Sequence, residues 1–220
     1  MSKYKIFVIS LVMLMFLVLS KVYAISLSVP LMGKVIYLDA GHGGVDSGAS
    51  YGKILEKDIN LILVKKMEEE LAKRGAVVYL TRDGDYDLAE TTNGRKRSDL
   101  ANRAWLINKG NCDMYISIHL NYIGNSKWQG LQIFYNNKNK LNEVMARMMT
   151  EYLKENMSNV RDYKYANDYY MYKLISKPGI LIEMGFLSNP NDRYRLTREE
   201  YQDKIVKKIV EAIDNYFRVV

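Results

Sequence analysis

Two histidines, His42 and His119, are the only ones among 220 residues. Each follows a short apolar run of the kind that forms a β-strand. His42 lies in Gly41-His42-Gly43-Gly44 after Lys34–Asp39, and His119 follows Met114-Tyr115-Ile116-Ser117-Ile118. A third run, Gly179-Ile180-Leu181-Ile182, ends on Glu183. Neutral imidazoles and a carboxylate are ligands that zinc takes from proteins, and hydrolytic zinc sites keep one position open. If the three runs are parallel neighbours, their ends converge on one edge of a sheet, where open α/β folds bind ligands.

Glu56 opens the segment Glu56-Lys57-Asp58-Ile59-Asn60-Leu61. An acid in the first turn of a helix commonly does no more than complement the helix dipole. The start of the first helix also lies over the strand end that carries His42, which makes Glu56 a candidate third ligand beside His42 and His119. Glu183 ends a strand that reads as buried, where an unpaired carboxylate is costly. It is a candidate general base, taking a proton from water and passing it to a leaving amine. The alternative for Glu183 is an ion pair with Arg82 or Arg103. With both histidines assigned to a metal, no Ser–His or Cys–His pair is left for nucleophilic catalysis. The glycine-rich loop at 39–49 matches neither the dinucleotide fingerprint nor the P-loop pattern.

These residues need elements to hold them. Lys34–Asp39, Ala76–Thr81, Asp113–Ile118, Gly130–Tyr135 and Gly179–Glu183 read as strands. Helical spacing of apolar residues runs through Lys57–Arg74, Leu100–Lys109, Leu141–Glu155 and Arg198–Phe217. Asp83–Arg97 is a polar loop or lid, and Tyr163–Leu174 has no clear period. Alternation of strand and helix predicts an α/β fold: one domain with a twisted, mostly parallel sheet and helices on both faces. Trp128, Tyr163, Tyr165, Tyr169, Tyr170 and Tyr172 are candidates to line a sugar-binding groove, with ordinary packing as the alternative.

The N-terminus reads as a targeting signal. Lys3 and Lys5 lead into the apolar stretch Ile6–Leu19, and Val22-Tyr23-Ala24 fits a small-residue cleavage site. Residues 1–24 are therefore expected to be a signal peptide or, if retained, a membrane anchor. Residues 33–220 are expected to form the folded domain, working outside the cytoplasm. Of the net charge of +7, three positive charges are Lys3, Lys5 and Lys21, which leaves +4 for the rest. That excess does not form the clustered stripe expected of a nucleic-acid binder, and it suits an anionic wall. Cys112 is the single cysteine; it can belong to no CxxC pair and reads as inert.

Four segments together resemble the zinc-dependent N-acetylmuramoyl-L-alanine amidases of the third amidase family. They are Leu38-Asp39-Ala40-Gly41-His42-Gly43-Gly44, Glu56-Lys57-Asp58-Ile59-Asn60-Leu61, Tyr115-Ile116-Ser117-Ile118-His119-Leu120-Asn121 and Leu181-Ile182-Glu183-Met184-Gly185-Phe186-Leu187-Ser188-Asn189-Pro190. The resemblance runs from about Lys34 to Phe217. It implies that His42, Glu56 and His119 hold Zn2+ and that Glu183 is catalytic. It also implies cleavage of the amide between N-acetylmuramic acid and L-alanine in peptidoglycan. Leu120, where the family often has alanine, and Ile107 in the usual Ala-Asn pair depart from the pattern and bear on the groove. With no wall-binding repeats in the sequence, the resemblance is strongest to the spore-cortex, germination-specific members, which prepare muramic δ-lactam. An exported accessory protein is an expected partner. The competing readings are a zinc carboxypeptidase of the stem peptide and a non-catalytic wall-binding protein.

Overall fold

A computed structural model describes residues 3–220, the side chains of 22–28 apart. The expected cleavage motif Val22-Tyr23-Ala24 falls among those side chains, and the first two residues lie outside the described part. The first helix, α1, is Lys3–Ser28. Its stretch Lys3–Lys21 is apolar and long enough to cross a membrane, and none of it is buried.

The domain that follows is built on six strands: β1 (Val35–Ala40), β4 (Val77–Leu80), β5 (Met114–Asn121), β6 (Gln132–Tyr135), β7 (Lys164–Tyr165) and β8 (Gly179–Phe186). Their order in the sheet is β4-β1-β5-β8-β6-β7. The first four run parallel, and β6 pairs antiparallel to β8 and parallel to β7. The mostly parallel sheet expected from the alternation is what forms. A separate hairpin of β2 (Ser50–Tyr51) and β3 (Ile54–Leu55) lies between β1 and the next helix.

The pleat sorts side chains to two faces. Ile36, Leu38, Met114, Ile116, Ile118, Ile180 and Ile182 belong to the larger core. Over that core lie α2 (Glu56–Lys73), α4 (Leu141–Asn156) and α7 (Glu199–Val219). α2 buries Ile59, Leu63, Val64, Met67 and Leu71, an apolar stripe at helical spacing. Glu56 and Asn60 continue that buried stripe at its N-terminal end. The opposite face carries Tyr115 and Leu181 and is covered by α3 (Arg95–Lys109) and the short α5 (Tyr170–Leu174). Alternation therefore places Asp39, Ser117, His119 and Glu183 on this second face.

Several elements differ from the sequence reading: β5 and β8 run on past His119 and Glu183 to Asn121 and Phe186, and the hairpin β2–β3, β7 and α5 form where no period is read. α3 starts five residues before Leu100, because its first turn, Arg95 to Ser98, is polar and solvated and shows no apolar period. α6 (Pro190–Leu196) falls in a stretch given no element. Its signals are chemical: Asn189 caps it by accepting from the amides of Asn191 and Asp192, and Pro190 sits in the first turn.

Candidate active site

The carboxyl ends of β1, β5 and β8 bring His42, His119 and Glu183 to one cavity of about 280 Å³, and the N-terminus of α2 adds Glu56. His119 and Glu183 are direct neighbours in register on β5 and β8. His42 follows β1 with φ of +63°, a left-handed conformation that is unusual for a side-chain-bearing residue and marks functional strain. The surrounding glycines make room. A Cβ on Gly41 would lie 2.2 Å from the His119 ring, and one on Gly48 would lie 2.6 Å from Glu56 Oε2 and the His42 ring.

Two arginines, both buried, brace this loop by its carbonyls. Arg82 donates to the carbonyls of Ala40 at 2.9 Å and Gly41 at 3.1 Å. Arg103 donates to the carbonyls of Ala40 at 2.7 Å and His42 at 2.6 Å. Arg103 also pairs with Asp39 at 2.8 Å and Asp99 at 3.0 Å. Neither arginine pairs with Glu183, so the ion-pair alternative for that residue falls away among the described residues.

Glu56 Oε1 lies 3.1 Å from His42 Nε2 and 3.0 Å from His119 Nδ1. It also accepts from the Leu120 amide at 3.0 Å, while Oε2 accepts from the Ala49 amide at 2.8 Å. Burial alone would raise this carboxyl, but the hydrogen bonds to His119 and His42 outweigh it and keep it below the usual range. The three donor atoms lie within 4.8 Å of one another. Ligands about 2.1 Å from a tetrahedral zinc stand roughly 3.4 Å apart, so the set fits a small divalent cation. His42 Nδ1 donates to Asp46 Oδ2 at 2.9 Å. That bond leaves Nε2 bare for a metal, as a carboxylate behind a metal histidine does. Asp46 is itself held by the Gly48 amide at 3.0 Å. The sequence alone assigns no role to Asp46; its spacing of four from His42 within the glycine loop is the available signal.

Glu183 is different. It is 6% exposed, and its Oε2 has no hydrogen-bond partner. Burial, with the nearby Glu56 charge adding to it, outweighs the two histidines and the Tyr169 hydroxyl and raises its carboxyl to about 7. A buried acceptor left unpaired costs free energy, and its place on the cavity wall offers it to a reacting group.

The aromatic candidates divide. Tyr169, Tyr170 and Tyr172 line the cavity, though Tyr172 is buried and donates to the Phe134 carbonyl at 3.1 Å. Tyr163 and Tyr165 pack against Tyr135. Trp128 is exposed under the Arg161 guanidinium. Of the polar stretch Asp83–Arg97, Lys96 lines the cavity, while Asp85 accepts from the Gly44 amide and from Lys57, strapping the stretch to the glycine loop. Cys112 is buried, and burial pushes its thiol up to about 12.

Residues 36–215 match the family model described as N-acetylmuramoyl-L-alanine amidase. The chain belongs to this amidase family. The amidase is 46% identical over 195 residues to the germination-specific N-acetylmuramoyl-L-alanine amidase of Bacillus subtilis (strain 168), covering 86% of this chain and 82% of the relative. The CwlD amidase from Clostridioides difficile, solved in complex with the GerS lipoprotein, superposes with a TM-score of 0.80 at 38% identity, over 86% of the amidase and 100% of that chain. The catalytic domain of CwlV from Bacillus (Paenibacillus) polymyxa var. colistinus gives a TM-score of 0.74 at 27% identity, over 85% and 99%. Fold and family thus agree with the resemblance drawn from the four motifs.

Proposed function

We propose that this chain is an exported, zinc-dependent hydrolase that cleaves the amide between N-acetylmuramic acid and the L-alanine of the stem peptide, acting on spore cortex. The observation that carries the reading is that His42, Glu56, His119 and Glu183 line one cavity. His42 Nε2, Glu56 Oε1 and His119 Nδ1 would hold zinc, with Asp46 behind His42. Bound there, zinc supplies Lewis-acid polarisation of the scissile carbonyl. Glu183 takes a proton from the attacking water at its unpartnered Oε2 as the water oxygen bonds to the carbonyl carbon. It then gives that proton to the amine nitrogen as the carbon–nitrogen bond breaks. The strap of Arg82 and Arg103 on the loop carbonyls keeps His42 in its strained conformation through the cycle.

The cortex assignment is supported by the Bacillus subtilis and Clostridioides difficile relatives. The latter's complex with a lipoprotein supports an exported accessory partner here. Residues 1–24 act as the export signal or anchor and 33–220 as the catalytic domain; the apolar, unburied Lys3–Lys21 supports this division.

The test is mass spectrometry of muropeptides after incubating the zinc-loaded, full-length protein in detergent with purified cortex, beside a Glu183→Gln control. Stem peptides with free L-alanine amino termini, absent from the control, are expected. Released D-alanine would instead mean a carboxypeptidase. No product from folded, zinc-loaded protein, with and without an exported lipoprotein partner, would favour a binding protein. Elemental analysis of the purified protein checks for zinc at one equivalent.

A further inference from the structure

The cavity that holds Glu183 continues into a second concavity, and the two share Asp46, Lys96 and Asp99 in their walls. Charge at this junction is unevenly settled. Asp99 accepts from Arg103 and from the Leu88 amide at 2.8 Å. Asp46 is taken by His42 and the Gly48 amide. Asp87, in the second concavity, is held by Arg95 through Nε at 2.9 Å and Nη2 at 3.0 Å. Arg103 and Arg95 are consumed by these pairs. Lys96 is exposed, lines both hollows, and forms no ion pair among the described residues. Its neighbour Arg97 is set over the Tyr170 ring at 5.4 Å.

The geometry points to Lys96 as a specificity-determining residue that binds a carboxylate of the departing peptide, one residue beyond the L-alanine. This rests on the amidase reading above. Two residues of extended chain span about 7 Å, so a carboxylate at that position stays within the same small cavity system as the scissile bond. Lys96 acts on Asp46 through space but has no ion pair to break before giving a charge-assisted hydrogen bond. Asp99 and Asp87 beside it are neutralised by Arg103 and Arg95, which leaves Lys96 as the cation on this wall without an ion pair among the described residues.

The test uses two synthetic muramyl tripeptides that differ only at the second residue, whose carboxyl is free in one and amidated in the other. Full-length, zinc-loaded wild type is expected to prefer the free acid by roughly tenfold in kcat/KM, mainly through KM. Lys96→Ala should cut the ratio of the two kcat/KM values to near unity, and Lys96→Glu should reverse it. A wild type without preference, or a Lys96→Ala protein that keeps it, would overturn the assignment and leave the amidase reading standing. Hydrolysis of neither substrate would overturn both. Lys96 is exposed and makes no ion pair, so these variants fold; a matching thermal midpoint verifies it.

Discussion

Asp39 and Glu183 are both buried carboxylates on the same face of one sheet, separated by β5, and they ended in opposite states. Asp39 accepts from Thr81 at 2.7 Å, Arg103 at 2.8 Å and Ser117 at 2.5 Å. Burial alone would raise its carboxyl, but Arg103 and the two hydroxyls outweigh that and hold it at about 2. Glu183 is buried to a similar degree without such a set, and its carboxyl sits at about 7. Desolvation is common to the two; the partners decide. A saturated carboxylate serves the scaffold, and an unsaturated one stays available for proton transfer.

Removing each charge should therefore do opposite things. Glu183→Gln is expected to lower kcat by about 10³-fold without lowering the thermal midpoint, because it deletes a buried charge whose Oε2 has no hydrogen-bond partner. Asp39→Asn should destabilise the fold by about 3 kcal/mol, since Arg103 is left buried with one counter-charge fewer. Urea unfolding beside muropeptide assays separates the two cases. A Glu183→Gln protein that unfolded easily, or an Asp39→Asn protein that did not, would break the contrast.

Acid sharpens it. A carboxyl with a folded value of about 2 against roughly 3.9 unfolded contributes stability that is complete above about pH 5. That stability is lost as pH falls towards 2, and amounts to about 2–3 kcal/mol. The urea midpoint of wild type should fall over that window, and the fall should be smaller in Asp39→Asn.

Much of this contrast was legible before any coordinates. Strand ends and period-two alternation are local patterns, so the placement of His42, His119 and Glu183 could be read from runs of five or six residues. Glu56 was legible because a helix start is tied to the strand end before it. The role of Asp39 was not, because its partners Thr81, Arg103 and Ser117 are 42 to 78 residues away, and no local period encodes them. Arg82 and Arg103 were legible only as candidate partners of Glu183. They turned out to clamp the carbonyls of Ala40, Gly41 and His42 instead. The polar first turn of α3, which carries Lys96, hid for a related reason: apolar spacing reports a helix only where it packs.

Asp46 stands between the two extremes, a half-exposed carboxylate whose partners are His42 and a backbone amide. Burial pushes it up, and those two contacts and nearby Lys96 bring it below its usual value. In the proposed zinc site its effect would pass through His42, to which it is hydrogen-bonded. Asp46→Ala should weaken zinc affinity by about tenfold, read by competition with a chromogenic chelator. Asp46→Asn should lose less, because an amide oxygen still accepts from Nδ1. Equal losses in the two variants would mean that charge, rather than the choice of tautomer, is what Asp46 contributes.

The smallest effect belongs to Cys112. It lies in the minor core with Tyr115, Ile107 and Ala104 on the face that carries Glu183, yet its thiol is raised to about 12 by burial. Reactivity needs both thiolate and access, and this group has neither. Iodoacetamide on the native, zinc-loaded protein should leave activity unchanged and add no mass, whereas unfolded protein should gain one label. Rapid native labelling would show that the α3–α5 layer opens. The face that shelters Glu183 would then be loose, and desolvation could not hold its carboxyl as it does.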